Sequence, residues 1–70
     1  MKLSARNQLS GTVTNLEPGA VMAEVTVDVS GQPIVAAITR ASAERLGLAE
    51  GQPVTVFIKA TEVILGVEED

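Results

Sequence analysis

The sequence predicts a small, mostly β domain with five strands and one short helix between the third and fourth strands. Val, Ile and Leu make up 20 of the 70 residues and Phe57 is the only aromatic residue, a composition that favours strands. Segments in which polar and apolar residues alternate are separated by Pro, Gly and Ser, the residues of turns. The length indicates one domain, residues 1–70.

The first three strands are predicted from this alternation. Strand 1 covers residues 9–16, with Gly11 at a position of bending or close approach. Strand 2 covers residues 21–29, where alternate residues are Val or Ala and face one side. Strand 3, residues 34–39, is nearly all apolar and is therefore expected to be covered on both faces.

A helix and two further strands follow. Thr39 is the predicted N-cap of a helix over residues 40–46, and Gly47 is placed to end that helix in a left-handed conformation. Alternation then predicts strand 4 over residues 54–59 and strand 5 over residues 62–67.

The order of these elements favours an OB-like barrel, in which five strands are joined in Greek-key fashion. The acidic tail, residues 68–70, is predicted to fray. The main alternative is an interleaved hairpin dimer, because residues 46–51 and the Val-rich strand after them resemble the swapped-hairpin barrels of bacterial transcription regulators. Those regulators bind DNA through a basic face, whereas this chain has only five Lys and Arg residues, which argues against that alternative.

Charge and missing residue types exclude several functions. Five Lys and Arg against nine Asp and Glu give a net charge of −4, the wrong sign for general nucleic-acid binding. The chain has no His and no Cys, so zinc sites, thiol nucleophiles, disulfides and histidine acid–base catalysis are excluded. No pair of carboxylates is spaced for acid–base work. We therefore expect no metal site, no catalytic residues and no nucleic-acid partner.

Composition also bears on location and assembly. No apolar run approaches the roughly 18 residues of a membrane helix, and the first residues lack the features of a signal peptide, so a cytoplasmic protein without a membrane partner is expected. A small domain with 46% hydrophobic residues and neither disulfides nor zinc has more apolar surface than it can bury alone. We therefore expect a homo-oligomer.

Hydrogen-bond donors are the candidate functional groups. Arg6 lies in a polar segment before strand 1, and Lys59 ends strand 4. Thr39 and Ser42 lie at the start of the helix, where backbone N–H groups favour anions. Together with Ser4 they suit an oxyanion rather than catalysis. Simpler interpretations stay open. Arg6 and Lys59 can be ordinary solvated surface cations, and Thr39 and Ser42 can serve only to cap the helix.

Six short motifs between residues 2 and 66 point to a known family. They are S-A-R-N-Q-L at 4–9, G-T-V at 11–13, G-A-V at 19–21, A-E-V at 23–25, L-G-L at 46–48 and I-K-A-T at 58–61. The sequence resembles the molbindins, the small molybdenum-pterin-binding (Mop) domains of the TOBE type. The resemblance implies an OB-like barrel, a homohexamer built as a trimer of dimers, and molybdate or tungstate as ligand. We predict no organic cofactor.

The resemblance also implies two kinds of oxyanion site. One site lies between two subunits, and one subunit contributes Ser4, Ala5, Arg6, Lys59 and Ala60. The neighbouring subunit contributes the hydroxyl groups of Thr39 and Ser42. A second site near the symmetry axes is implied at the backbone of the turn Gly19-Ala20-Val21.

The function expected from the residues and the resemblance is non-enzymatic. The protein would bind and store molybdate or tungstate at subunit interfaces for molybdenum homeostasis. The alternative is a regulatory or interaction module, of OB or swapped-hairpin type, that senses the oxyanion or binds a macromolecular partner. The residues do not distinguish the two metals, nor do they decide whether a pterin binds.

Overall fold

The computed structural model describes residues 1–69 and shows a four-stranded antiparallel sheet with one short helix. The elements are β1 (Asn7–Pro18), β2 (Met22–Val29), β3 (Gln32–Thr39), α1 (Arg40–Leu46), β4 (Pro53–Ile58) and a 3-10 helix over Ala60–Glu62. The strand order is β3-β2-β1-β4. The mostly β class and the position of the helix, between the third and fourth strands, are confirmed.

The longest strand, β1, pairs with two neighbours in succession. Residues 7–12 pair with β4, and residues 12–18 pair with β2. The register with β2 shifts between Val13 and Asn15, a bulge that bends and twists the strand. The close approach expected at Gly11 is present, because a Cβ atom there would lie 2.6 Å from the carbonyl oxygen of Asp28.

Side-chain alternation in β2 follows the prediction, whereas β3 departs from it. In β2, Ala23, Val25 and Val27 are buried and Glu24 is exposed. In β3, Val35 and Ala37 are exposed, so the expectation that this strand is covered on both faces is wrong. The reason is that the described residues form one sheet and short helices, which leave the outward face of β3 uncovered.

The predicted fifth strand is absent among the described residues, so the five-stranded prediction is corrected to four. The chain forms the 3-10 helix at Ala60–Glu62 and then runs without regular structure over residues 63–69, the C-terminal arm. Residues 62–67 carry the composition of a strand, but a strand also needs a partner for its backbone, and they pair with no strand among the described residues. Residue 70 of the predicted frayed tail lies outside the described residues.

The buried core is small and aliphatic. Five described residues are buried: Val13, Ala23, Val25, Val27 and Ala43. Half-buried side chains pack against the three valines: Leu16, Val29, Ile38, Leu48, Val54 and Val56. Branched aliphatic residues therefore build the core, as the composition predicts.

Both predicted caps of α1 are present. Thr39 has extended backbone angles, and its side-chain oxygen accepts a hydrogen bond of 3.1 Å from the Ser42 N–H. Gly47 ends the helix with φ at 64°, in the left-handed region where glycine is favoured. The cap fixes the hydroxyl groups at the start of the helix relative to the end of β3.

Replacing Gly11 by Ala is expected to lower the free energy of unfolding by about 1 to 3 kcal/mol. The added methyl group would overlap the backbone of Asp28, which cannot move without disturbing the pairing of β1 with β2. Urea denaturation followed by circular dichroism measures the change. Ser10→Ala, at an exposed neighbouring position, is the control and should be nearly neutral. Equal stability of the two variants would contradict the close approach.

Replacing Thr39 by Ala is expected to cost about 1 kcal/mol of stability, because the Ser42 N–H loses its cap. Thr39→Ser keeps a hydroxyl group at the same position and should retain most of that stability. Thermal and urea unfolding of the three proteins provide the comparison. If the Ala and Ser variants unfold alike, the side-chain cap makes no contribution.

Candidate anion-binding site

A shallow hollow lies at the end of the sheet where the chain enters β1 and leaves β4. Its lining residues come from these two segments: Ser4, Ala5, Arg6, Lys59, Ala60 and Thr61. The antiparallel pairing of Asn7 with Ile58 brings the segments together, because residues before one strand and after the other leave the sheet at the same end. The structure thus gathers Ser4, Arg6 and Lys59 within one chain, and we call this feature the cationic hollow.

Side-chain amides fix the backbone around the cationic hollow. Asn7 Nδ2 donates a hydrogen bond of 3.1 Å to the carbonyl oxygen of Ile58, directly before Lys59. Gln8 Nε2 donates one of 3.0 Å to the carbonyl oxygen of Ala5, directly before Arg6. Sequence reasoning did not assign these amides a role, although short amide side chains beside a strand end often bond to nearby backbone. The backbone that carries both cations is therefore held in place.

The chemistry of the cationic hollow is that of a donor set. Arg6 supplies a guanidinium, Lys59 an ammonium, and Ser4 and Thr61 supply hydroxyl groups. None of the six lining residues is acidic. Ala60 begins the 3-10 helix, where the first N–H groups have no acceptor within the helix. Such a set attracts an anion and offers no group for acid–base catalysis.

Thr39 and Ser42, the other predicted hydroxyl donors, do not line the cationic hollow. They lie where β3 passes into α1, and the Thr39 hydroxyl group donates a hydrogen bond of 2.8 Å to Ser42 Oγ. Because β3 and β4 are the two outer strands of the sheet, these hydroxyl groups and Lys59 belong to opposite edges. Within one chain the structure brings together only the first part of the predicted set.

The turn at Gly19-Ala20-Val21 connects β1 to β2 and is attached to the start of α1. The Gly19 N–H donates to the Met22 carbonyl oxygen at 2.7 Å, and the Arg40 N–H donates to that of Val21 at 2.7 Å. Arg40 Nη1 donates to the carbonyl oxygen of Gly19 at 3.3 Å, while its Nε pairs with Glu44 at 2.9 Å. Sequence reasoning missed this role of Arg40, for which the sequence carries no signal.

Across residues 1–69, no three side chains among His, Cys, Asp and Glu are grouped as they would be around a metal ion. In the same residues, no helix has the length and apolar character needed to cross a membrane.

Comparisons with known proteins agree with the fold and with the family that the sequence resembles. The family model of the TOBE domain matches residues 3–65. Molybdenum-pterin-binding protein 1 of Clostridium pasteurianum is 42% identical over 66 residues, which cover 93% of this chain and 97% of the relative.

Solved structures show the same similarity. A molybdate-binding protein from Sporomusa ovata superposes with a TM-score of 0.92 at 43% identity, covering 96% of this chain and 100% of that one. The cytoplasmic molybdate-binding protein ModG, solved with molybdate bound, superposes with a TM-score of 0.82 at 46% identity over 86% of this chain and 43% of that one. Because the family model and a full-length relative both cover nearly the whole chain, this protein belongs to the TOBE-domain family of molybdenum-pterin-binding proteins.

Proposed function

We propose that this protein binds molybdate or tungstate in the cytoplasm and stores it for molybdenum homeostasis, without catalysing a reaction. The observation that carries the proposal is the cationic hollow, where Arg6, Lys59 and Ser4 converge and no acidic side chain takes part. The printed names and titles of its relatives, which describe molybdenum-pterin and molybdate binding, support the choice of ion.

The site is shared between two copies of the chain. The cationic hollow is shallow and open to solvent, and Ser4, Arg6 and Lys59 are all exposed in one copy. One copy therefore leaves the ion incompletely surrounded. Thr39 and Ser42 of a neighbouring copy supply the missing hydroxyl groups, and the backbone at Ala5 and Ala60 adds N–H donors.

The assembly is a homohexamer, a trimer of dimers, and each OB-like barrel is completed only within it. The support is the small core: five buried residues in a chain whose hydrophobic fraction is 46% leave much apolar surface to be covered by neighbours. The resemblance to molbindins supplies the number of copies, and the two free sheet edges are the places where copies join.

A second oxyanion site lies at the turn Gly19-Ala20-Val21, near the symmetry axes of the assembly. The Gly19 N–H already bonds to the Met22 carbonyl oxygen, so the N–H groups of Ala20 and Val21 are the donors we assign to this site. The Arg40 guanidinium, 3.3 Å from the Gly19 carbonyl oxygen, adds a cation beside the turn.

Affinity and selectivity come from local donors rather than from the field of the whole protein. The chain carries a net charge of −4, which repels an anion at long range. Hydrogen bonds to charged groups contribute about 1.5 to 3 kcal/mol each and act at contact. Sulfate has shorter bonds to oxygen than molybdate, so a cage sized for the larger ion leaves some donors unsatisfied around sulfate. Molybdate and tungstate are too similar in size for this argument to separate them.

Replacing Lys59 or Arg6 by Ala is expected to weaken molybdate binding about 10- to 100-fold, the loss of one charge-assisted hydrogen bond. Isothermal titration calorimetry with molybdate measures the change. Arg45→Ala is the matched control, because Arg45 is an exposed cation in the last turn of α1 and lies outside the cationic hollow. Undiminished binding by both the Lys59 and Arg6 variants would remove the proposed site.

Native mass spectrometry of the wild-type protein tests the ion and the assembly together. The expected spectrum is a hexamer that gains several molybdate ions and gains no sulfate at the same concentration. Sulfate uptake equal to that of molybdate would contradict the selectivity, and a monomer that takes up neither ion would contradict the proposed function.

A further inference from the structure

Two consecutive side-chain amides at the start of β1 support the cationic hollow without lining it. The lining comes from residues 4–6 and 59–61, and neither Asn7 nor Gln8 belongs to it. Because successive residues of a strand point to opposite faces of the sheet, the two amides reach different segments of backbone. Each half of the hollow therefore receives one amide.

The amide of Asn7 acts on the half of the hollow that carries Lys59. Its Nδ2 donates to the carbonyl oxygen of Ile58 at 3.1 Å. The peptide group that joins Ile58 to Lys59 is planar, so this bond also fixes the Lys59 N–H. On the other side, the carbonyl oxygen of Lys59 accepts a hydrogen bond of 2.9 Å from the Glu62 N–H. Both peptide groups that flank Lys59 are therefore held, and with them the direction in which its side chain leaves the backbone.

The amide of Gln8 acts on the half of the hollow that carries Ser4 and Arg6. Its Nε2 donates to the carbonyl oxygen of Ala5 at 3.0 Å and so fixes the planar peptide group that joins Ala5 to Arg6. Residues 1–6 precede β1 and belong to no helix or strand, so the hydrogen bonds of the sheet do not hold this peptide group. The side chain of Gln8 holds it instead.

Both amide bonds are exposed, which gives them little weight in the stability of the fold. An exposed hydrogen bond competes with water, so its net contribution to stability is small. None of the buried residues of the core lies near this end of β1 in the sequence, since the first of them is Val13. The strength of a hydrogen bond to a ligand, in contrast, falls steeply when the donor is displaced or turned away. The two amides are therefore expected to affect binding more than folding.

We infer that Asn7 and Gln8 are positioning residues of the oxyanion site and that they set its affinity and its preference for molybdate over sulfate. Asn7 acts through Lys59, and Gln8 acts through Arg6. A backbone that is held keeps the donors at the spacing of the larger ion, whereas a backbone that is free closes on the smaller ion. The inference rests on the proposed function, because it concerns the same hollow.

Replacing Asn7 by Ala is expected to weaken molybdate binding about 3- to 10-fold, the range for one neutral hydrogen bond, and to lower the preference for molybdate over sulfate. Isothermal titration calorimetry with molybdate, alone and in competition with sulfate, measures both. Gln32→Ala is the matched control, because Gln32 Nε2 donates a similar bond of 3.2 Å to the carbonyl oxygen of Pro33, outside the hollow. An Asn7→Ala protein with the affinity or the ion preference of the wild type would overturn the inference.

Double-mutant cycles separate positioning from a general effect on the fold. If Asn7 acts through Lys59, adding Asn7→Ala to Lys59→Ala changes the affinity much less than it does in the wild type. Adding Asn7→Ala to Arg6→Ala should instead give the full loss of the single variant. Gln8→Ala should show the opposite pairing, with its effect lost in the Arg6→Ala protein. Losses that add fully in both backgrounds would show that the amides support only the fold.

A second variant decides the matter if Asn7→Ala does not fold. Asn7→Leu keeps nearly the shape of the asparagine side chain and has no N–H group to donate, so it should show the same losses. Urea unfolding followed by circular dichroism establishes that each variant is folded before it is titrated.

The same titrations distinguish this inference from the proposed function. Molybdate binding that Lys59→Ala weakens and that Asn7→Ala leaves intact would keep the proposed function and overturn the inference. A wild-type protein that binds no molybdate would overturn both.

Discussion

The structure depends on the double pairing of β1. Thr12 pairs with Pro53 of β4 and with Asp28 of β2, so the strand changes partners at its middle. Val13, next to this point, is 1% exposed and lies in the centre of the core. The same strand separates the two proposed oxyanion sites. One site lies before Asn7 and the other after Pro18, so they are about 35 to 40 Å apart along a strand with a rise of roughly 3.4 Å per residue.

The sequence predictions were accurate for elements that depend on neighbouring residues and less accurate for elements that depend on residues far away in the chain. The alternation of β2 and the caps of α1 depend on neighbouring residues, and both were predictable. Strand pairing depends on distant residues, so the composition of residues 62–67 predicted a strand that pairs with no other strand among residues 1–69. The apolar run in β3 indicated burial on two faces, but only the fold shows that no second layer among the described residues covers its outward face.

For the candidate site, too, the sequence indicated which residues are donors but not where the fold places them. Residue types identified Ser4, Arg6 and Lys59 as donors, because cations are scarce in this chain. Their meeting depends on the pairing of Asn7 with Ile58, 51 positions apart, which no local pattern encodes. The support from Asn7 was hidden for the same reason, whereas Gln8 bonds to Ala5, only three residues away. Thr39 and Ser42 were identified correctly as a helix start, yet their position on the opposite edge appears only in the fold.

The small core and the open cationic hollow both leave surface of the single chain in contact with water. The cationic hollow is open and its cations are exposed, so in a single copy each hydrogen bond to an anion competes with water. The same bonds become stronger where water is excluded and the local dielectric constant falls. Lys59 lies four residues before Val63, where exposed apolar surface begins, so in the proposed assembly a copy that covered this surface would also approach the hollow. The free energy of burying aliphatic surface can thereby set up the dry, donor-lined surroundings that a chain of net charge −4 needs to hold an anion.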